Sequence, residues 1–274
     1  MKQSQAWCGS TLTIEIFEPA REKDFDICFD FVSEFEQTYS RFIPGNYLDT
    51  LNIEKNSAIT QEFFSIINIC QKVSELTQGH FDITLLPLLE NKWYGIQQEH
   101  IPEDIGYQNI VLTPGHIELQ NNVSLDIGSV WKWYLVDKIY NYLIKKYQNF
   151  IIDFGGDIRV SWSHVIALED PADTTQSLWS IRLNNMSIAS SAGNRRVFHN
   201  AHHLINPKTK MSIQDKTAVF ITHELSTFSD IFSTALFVSP VDISIKILNS
   251  VPGLEWMILM DDWVVHKTQW FWKE

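Results

Sequence analysis

Residues 77–88 read TQGHFDITLLPL, and this stretch says more about the fold than any other in the chain. It begins where an amphipathic helix predicted over Gln61–Thr77 is expected to end, near Gly79. Polar His80 and Asp82 stand among apolar neighbours directly after that helix. What residues 77–88 indicate about the fold depends on the elements predicted on either side of them.

Apolar periodicity outside this stretch predicts an intermixed set of helices and strands. Further helices are predicted over Asp24–Tyr39, Val130–Lys146, Phe228–Val238 and Asp242–Asn249. Strands are predicted over Thr11–Phe17, Phe150–Ile152, Ser161–Leu168, Trp179–Leu183, Ala218–Thr222, Trp256–Met260 and Trp263–His266. The absence of a regular βαβ rhythm favours the α+β fold class. No linker-like segment divides residues 1–274, which predicts a single domain.

Composition excludes several classes of function. The 274-residue chain has a formal net charge of −12 and no Lys/Arg run, which disfavours nucleic-acid binding. No apolar window is long enough to predict a membrane span, and no secretory signal is recognised. A cytoplasmic location is therefore predicted, although a chain trimmed of a leader would look the same and would point to the periplasm.

Four short segments could carry chemistry. Asp230 and Thr234 are four residues apart on a predicted helix, so a carboxylate and a hydroxyl share one face, and both groups suit Mg²⁺. Residues 125–137 (LDIGSVWKWYLVD) place a lysine in the first turns of a helix, where an anion could bind. Residues 153–158 (DFGGDI) contain paired glycines after a strand, and residues 202–203 are adjacent histidines. Each signal alone is also typical of ordinary structure.

The order of these segments carries more information than any one of them. From about Trp7 to Val238 the chain resembles the ApbE family of FAD:protein FMN transferases. The strongest match is residues 77–88, which are very similar to the family pattern T-x-G-x-F-D-x-T-x-x-P-L. The remaining landmarks, in the family's order, are Cys8-Gly9-Ser10, Tyr39-Ser40-Arg41-Phe42 with Leu48 and Asn52, Asp126 with Gly128, Lys132 and Asp137, Gly155-Gly156-Asp157, His203 with Pro207 and Thr209, and Asp230 with Thr234, Ala235 and Leu236.

The resemblance implies a fold and a reaction. The implied fold is one α+β, T-fold-like domain with mixed sheets and helices around a central flavin cleft. The implied reaction uses Mg²⁺ and transfers FMN from FAD to a Thr or Ser hydroxyl of an acceptor flavoprotein, releasing AMP. FAD is then a substrate rather than a resident cofactor.

The resemblance also assigns roles to individual residues. Asp230 and Thr234 would ligate the metal with side chains, and Ser129 with its backbone carbonyl. His203 would lie near the reacting phosphate, so that His203 and Asp230 are the predicted catalytic residues. The predicted FAD-contacting residues are Cys8, Phe42, His80, Phe81, Asp82, Asp126 and Lys132, with Phe42 in place of a tyrosine that stacks on the flavin.

Several positions depart from the family pattern. Lys132 is flanked by Trp131 and Trp133 where the family has small residues, so the two indoles could fill or reshape the flavin or adenine site. Asn206 replaces an aspartate and Lys210 replaces a glycine. Two alternative functions therefore stay open: an Mg²⁺-dependent FAD pyrophosphatase that gives FMN and AMP, and an FAD-binding protein without transferase activity.

Overall fold

The fold is given by a computed structural model that describes residues 1–7, 9–93, 105–128, 130–194, 197–198, 201–202, 204–269 and 271. Its helices are α1 (Glu22–Tyr39), α2 (Tyr47–Glu54), α3 (Gln61–Leu76), α4 (Leu86–Trp93), α5 (Trp131–Leu143), α6 (Ser226–Val238) and α7 (Val241–Ser250). Its strands are β1 (Lys2–Trp7), β2 (Ser10–Ile16), β3 (Asn56–Ala58), β4 (Ile110–Thr113), β5 (His116–Leu119), β6 (Phe150–Phe154), β7 (Asp157–Ser161), β8 (Ser163–Glu169), β9 (Ser177–Asn184), β10 (Ser187–Ala192), β11 (Val197–Phe198), β12 (Ala201–His202), β13 (Ile205–Asn206), β14 (Met211–Ser212), β15 (Lys216–His223), β16 (Glu255–Met260) and β17 (Val265–Lys267).

An eight-stranded sheet organises the molecule, in the order β1-β2-β6-β7-β10-β15-β16-β17. Every neighbouring pair in it is antiparallel. The pairing of β7 with β10 is short and joins only Ser187 to Arg159 and Ile188 to Ile158. Beyond that point β10 extends past the start of β7, and its Ser191 side chain contacts Ser233 of α6.

The two faces of this sheet bury different apolar layers. On β15, Val219 and Ile221 belong to the larger core with the helices, whereas Ala218 and Phe220 belong to a smaller second core. The hairpin formed by β8 and β9 covers this second core with Ile166 and other apolar side chains. Strict alternation along β15 thus places the sheet between a helical layer and a β-hairpin.

The predicted α+β class is confirmed, and most predicted elements occur near their expected bounds. The structure adds elements that the sequence did not predict, among them β1, β10, the hairpin of β4 and β5, and two short helices, α2 and α4. Among the described residues, no helix is long and apolar enough to cross a membrane.

Candidate active site

Helix α6 carries the predicted metal ligands and is fixed at both ends by buried charges. At its start, the Asp137 carboxylate accepts hydrogen bonds from the backbone N–H groups of Ser226 and Thr227, each at 2.9 Å, and it forms an ion pair with buried Arg159. At its end, buried Lys216 donates to the carbonyls of Phe237 and Ser239. A negative charge at the N-terminus and a positive one at the C-terminus both complement the helix dipole.

Asp230 and Thr234 face the same side of α6, as the four-residue spacing predicts. Asp230 is buried, and its Oδ2 atom has no hydrogen-bond partner among the described residues. Thr234 is partly exposed, unlike most of the helix, and its Oγ1 lies 3.2 Å from Ser191 Oγ. A buried carboxylate oxygen without a donor costs free energy, which the group avoids by taking up a proton or a cation.

Two further charged residues act on Asp230. Lys132, in the first turn of α5, forms an ion pair with Asp157 at the start of β7. Burial raises the pKa of Asp230, the charge of Asp157 raises it further, and Lys132 lowers it. The pKa of Asp157 is also raised by burial, against the opposing effect of Lys132. This cluster holds two buried carboxylates against one ammonium group, and such a surplus of negative charge favours a cation.

A cleft of about 260 Å³ lies beside this cluster. Its wall includes Phe42, Asp126, Gly128, Trp131 and Lys132. Lys132 therefore lines the cleft and also contacts the carboxylate cluster, which is the candidate cation site. Phe42 is 62% exposed, so an aromatic residue of the cleft wall also faces solvent.

Asp126 shapes the floor of the cleft. Its Oδ1 accepts from the Gly128 N–H at 2.7 Å, and its Oδ2 accepts from Arg41 Nη1 at 2.5 Å. A Cβ atom at Gly128 would lie 2.8 Å from Asp126 Oδ1, so a side chain there would disrupt this turn. The Arg41 guanidinium also lies 4.8 Å from the centre of the Phe42 ring, a cation–π contact.

The paired glycines form the tight turn of the hairpin between β6 and β7. Gly155 and Gly156 have φ values of 65° and 94°, which residues with a side chain rarely adopt. A Cβ atom at Gly155 would lie 1.9 Å from Oγ of Ser10, a residue of the cleft wall. The Ser10 side chain therefore leaves no room for a side chain at Gly155, and Asp157, just after this turn, pairs with Lys132 of the cleft wall.

Residues 77–88 contain a buried hydrogen-bond network around Asp82 rather than an open ligand surface. Asp82 Oδ1 accepts from the N–H and hydroxyl of Thr84, and Oδ2 accepts from the N–H of Tyr107, each at 2.8 Å. Phe81 is buried in the main core. The strongest motif therefore joins the end of α3 to the loop before β4, and its contact with FAD stays a prediction.

His80 is tied to Asn206, one of the departures from the family pattern. Asn206 Nδ2 lies 2.9 Å from His80 Nδ1 and 3.1 Å from the carbonyl of Val238. A carbonyl can only accept, so Asn206 presents its amino group to both, and Nδ1 of His80 is the acceptor. Burial and the nearby Lys208 lower the pKa of His80, which agrees with a neutral ring.

The two indoles beside Lys132 have different positions. Trp133 is fully buried in the main core and does not line the cleft. Trp131 does line it, stacked on Phe35 with ring centroids 6.4 Å apart and edge-on to Phe154. Each step along a helix turns by about 100°, so Trp131 and Trp133, two positions apart, point to nearly opposite sides and only one of them faces the cleft.

Three predicted site residues, Cys8, Ser129 and His203, lie outside the described residues. Two residues that were not assigned a role, Asp157 and Arg41, contact predicted site residues directly. Both lie within segments that resemble family motifs, so the motifs located them without indicating their partners. In the part of the chain that the structure describes, no group of three His, Cys, Asp or Glu side chains could hold a metal.

Taken together, the fold and the site define an α+β protein in which buried carboxylates lie next to a cleft. A model of the ApbE family matches residues 8–258, and the chain belongs to this family. The predicted family is thereby confirmed. The site-residue roles stay predictions.

Known relatives agree with this assignment. The FAD:protein FMN transferase of Buchnera aphidicola, which is an enzyme by its name, is 28% identical to this chain over 243 residues. The match covers 79% of this chain and 70% of the relative. One from Chlamydia muridarum is 23% identical over 252 residues, covering 83% and 78%.

Solved structures show the same fold. The ApbE protein of Thermotoga maritima superposes with a TM-score of 0.87 at 20% identity, covering 100% of this chain and 99% of the other. The flavin transferase ApbE from Vibrio cholerae gives 0.85 at 18% identity, covering 99% and 97%.

Proposed function

We propose that this protein transfers FMN from FAD to a Thr or Ser hydroxyl of an acceptor flavoprotein, in an Mg²⁺-dependent reaction that releases AMP. The carrying observation is the buried Oδ2 of Asp230, which has no hydrogen-bond partner among the described residues, one helical turn from the partly exposed Thr234, in a member of the ApbE family. Relatives named FAD:protein FMN transferase support the activity.

The residues present fit a hard divalent cation. Asp230 and Thr234 offer a carboxylate and a hydroxyl oxygen, which are ligands that Mg²⁺ accepts, usually with waters and substrate phosphates completing its shell. A site with few protein ligands agrees with the lack of a three-residue cluster among the described residues. Bound Mg²⁺ would supply charge neutralisation at the FAD pyrophosphate.

The chain's own residues bind and orient the substrate. Lys132 presents a positive charge between the cleft and the Asp157–Asp230 pair, where it can approach a phosphate. Phe42 offers its exposed ring for stacking on the isoalloxazine, and Asp126 holds Arg41 at the cleft wall. Positioning and charge stabilisation dominate in such phosphoryl chemistry because little covalent work falls to the protein.

The proposed transfer is a single displacement at the FMN phosphorus. The acceptor hydroxyl oxygen forms a bond to the FMN phosphorus, and the bond from that phosphorus to the bridging oxygen breaks. AMP leaves with the bridging oxygen. The hydroxyl proton passes to water or to His203, which is predicted to lie near this phosphate.

The burial of Trp133 removes one reason for the non-catalytic alternative, because that indole fills core rather than cleft. We also propose that residues 1–274 act as one domain. Strands β1 and β17, near the two ends of the described chain, belong to the same sheet.

The test is to incubate purified protein with FAD and an acceptor flavoprotein, with and without Mg²⁺. AMP release and the acceptor mass are then measured. Mg²⁺-dependent gain of one FMN on the acceptor is expected. AMP release without labelling, repeated with several acceptors, would indicate the pyrophosphatase. FAD binding without turnover would indicate a flavin-binding protein, and either result would overturn the proposal.

A further inference from the structure

Two pairs of serines join β10 to α6. Ser187 Oγ lies 2.8 Å from Ser229 Oγ, and Ser191 Oγ lies 3.0 Å from Ser233 Oγ. All four residues are buried, and in both elements the two serines are four residues apart. The pairs thus have similar geometry, one turn apart along α6. Only the second pair continues to a predicted metal ligand, because Ser191 Oγ is also 3.2 Å from Thr234 Oγ1.

The direction of hydrogen bonding in the second pair follows from its last acceptor. Ser233 Oγ donates to the backbone carbonyl of Asp230 at 2.9 Å, and a carbonyl can only accept. A hydroxyl has one hydrogen, so Ser233 must accept from Ser191. Ser191 has then used its own hydrogen and must accept from Thr234.

This one-way chain has a consequence for Thr234. Its single hydrogen is directed toward Ser191, which leaves the lone pairs of Oγ1 free of that hydrogen. A hydroxyl must present a lone pair, and not its hydrogen, to a cation. The chain also ends on the backbone of Asp230, so it links the two predicted metal ligands.

We propose that Ser191 and Ser233 are positioning residues that set the Thr234 hydroxyl for binding a divalent cation. The proposal rests on the proposed function, since it takes Asp230 and Thr234 as the cation ligands. Groups that orient a metal ligand commonly change metal affinity by 10- to 100-fold when removed. Neither serine touches the cation in this proposal.

The first serine pair provides a matched control. Ser187 and Ser229 lie on the same two elements and are also buried, and among the described residues neither hydroxyl hydrogen-bonds to a predicted metal ligand. Replacing Ser187 by alanine removes a buried hydroxyl contact between β10 and α6, as Ser191→Ala does. A purely structural role predicts the same outcome for both variants.

The test is the binding of Mn²⁺, followed by electron paramagnetic resonance of the free ion, with and without FAD and without acceptor. We expect Ser191→Ala to weaken Mn²⁺ binding about tenfold. The Mn²⁺ affinity of Ser187→Ala should stay within about twofold of that of the unmodified protein. Both variants should lose a similar amount of melting temperature. Ser233→Ala should weaken binding less than Ser191→Ala, because Thr234 keeps its acceptor. The double variant Ser191→Ala/Ser233→Ala should match Ser191→Ala.

Equal Mn²⁺ affinities for Ser191→Ala and Ser187→Ala would overturn the positioning role, provided that Asp230→Asn loses binding. Unchanged binding in Asp230→Asn would instead overturn the cation site and the proposed function. If Ser191→Ala does not fold, Ser233→Ala with Ser229→Ala as its control decides the same question, since only Ser233 belongs to the chain that reaches Thr234.

Discussion

Two buried aspartates, Asp24 and Asp230, have opposite surroundings. Asp24, in the first turn of α1, accepts hydrogen bonds from Tyr142 at 2.6 Å, Tyr147 at 2.7 Å and Lys146 at 2.5 Å. It also accepts from Arg21 Nε at 3.0 Å. Among the residues that the structure describes, Asp230 Oδ2 has no hydrogen-bond donor, and the charge of a second carboxylate, Asp157, acts on it. Four donors compensate the first carboxylate, whereas burial and Asp157 outweigh the effect of Lys132 on the second.

Their pKa values shift in opposite directions for this reason. Burial alone would raise the pKa of Asp24, but hydrogen bonds from Lys146, Tyr142 and its other donors outweigh burial and hold that pKa well below its usual range. Burial also raises the pKa of Asp230, and Asp157 reinforces the shift. A compensated carboxylate stabilises the fold, whereas an uncompensated one favours binding of a cation from solution.

The largest expected effect comes from Asp230→Asn. It removes a proposed cation ligand, so the rate of FMN transfer should fall at least about 100-fold. The free energy of unfolding without metal should not decrease, because the substitution removes an unfavourable buried charge. Mg²⁺ should raise the melting temperature of the unmodified protein but not of the variant. A variant with normal Mg²⁺-dependent transfer would contradict the contrast with Asp24.

The second prediction concerns Asp24→Ala. The substitution removes a carboxylate that accepts hydrogen bonds from four side chains, so the free energy of unfolding should fall by about 3 kcal/mol. Transfer activity per folded molecule should stay unchanged, since Asp24 lies outside the cleft. Urea unfolding and an activity assay at low temperature measure the two quantities. If fully folded Asp24→Ala lost transfer activity, Asp24 would not be a purely stabilising residue, and its contrast with Asp230 would be wrong.

The third prediction is the pH dependence that Asp24 contributes. Its pKa is lower in the folded than in the unfolded protein, so the unfolded state binds more protons in acid. The stabilisation is fully present above the unfolded pKa of about 3.9 and is lost as pH falls below it. Unfolding measured from pH 6 to pH 3 should therefore show a steeper loss in the unmodified protein than in Asp24→Asn. Parallel curves would exclude this contribution.

The smallest expected effect lies away from both carboxylates. Lys210 occupies the family's glycine position with φ of 54°, a left-handed conformation that costs a residue with a side chain free energy. Lys210→Gly should therefore raise the free energy of unfolding by up to about 1 kcal/mol. The hydrogen bond from its N–H to the Asn206 carbonyl needs no side chain and should persist. Thermal unfolding is the measurement, and a lower melting temperature would show that the lysine side chain outweighs the backbone strain.

The sequence predicted those features that depend on local spacing. Apolar periodicity located α1, α3 and α6 within a few residues. The Asp230–Thr234 spacing placed both groups on one helix face, as observed. The order of the motifs identified the family even though no single motif did so. The best-matching motif, residues 77–88, contributes mainly a buried hydrogen-bond network.

Long-range pairing could not be predicted in the same way. Asp24 meets Tyr142 and Tyr147 across more than a hundred residues, and Asp137 caps a helix that begins 89 residues later. Periodicity reports which side of an element is buried, not which partner it meets. Trp133 shows the same limit: its motif suggested the cleft, whereas its helix position directs it into the core.

The burial of α6 has a kinetic consequence. Eleven of its 13 residues are buried, and both ends are held by charged side chains. Backbone amides in such an element exchange with solvent deuterium only through rare, large-scale opening. Asp230 and Thr234 therefore lie on a frame that we expect to be among the slowest-exchanging in the chain. Ligand capture there should require little backbone rearrangement, so amide exchange in α6 should already be slow before any cation or flavin is added.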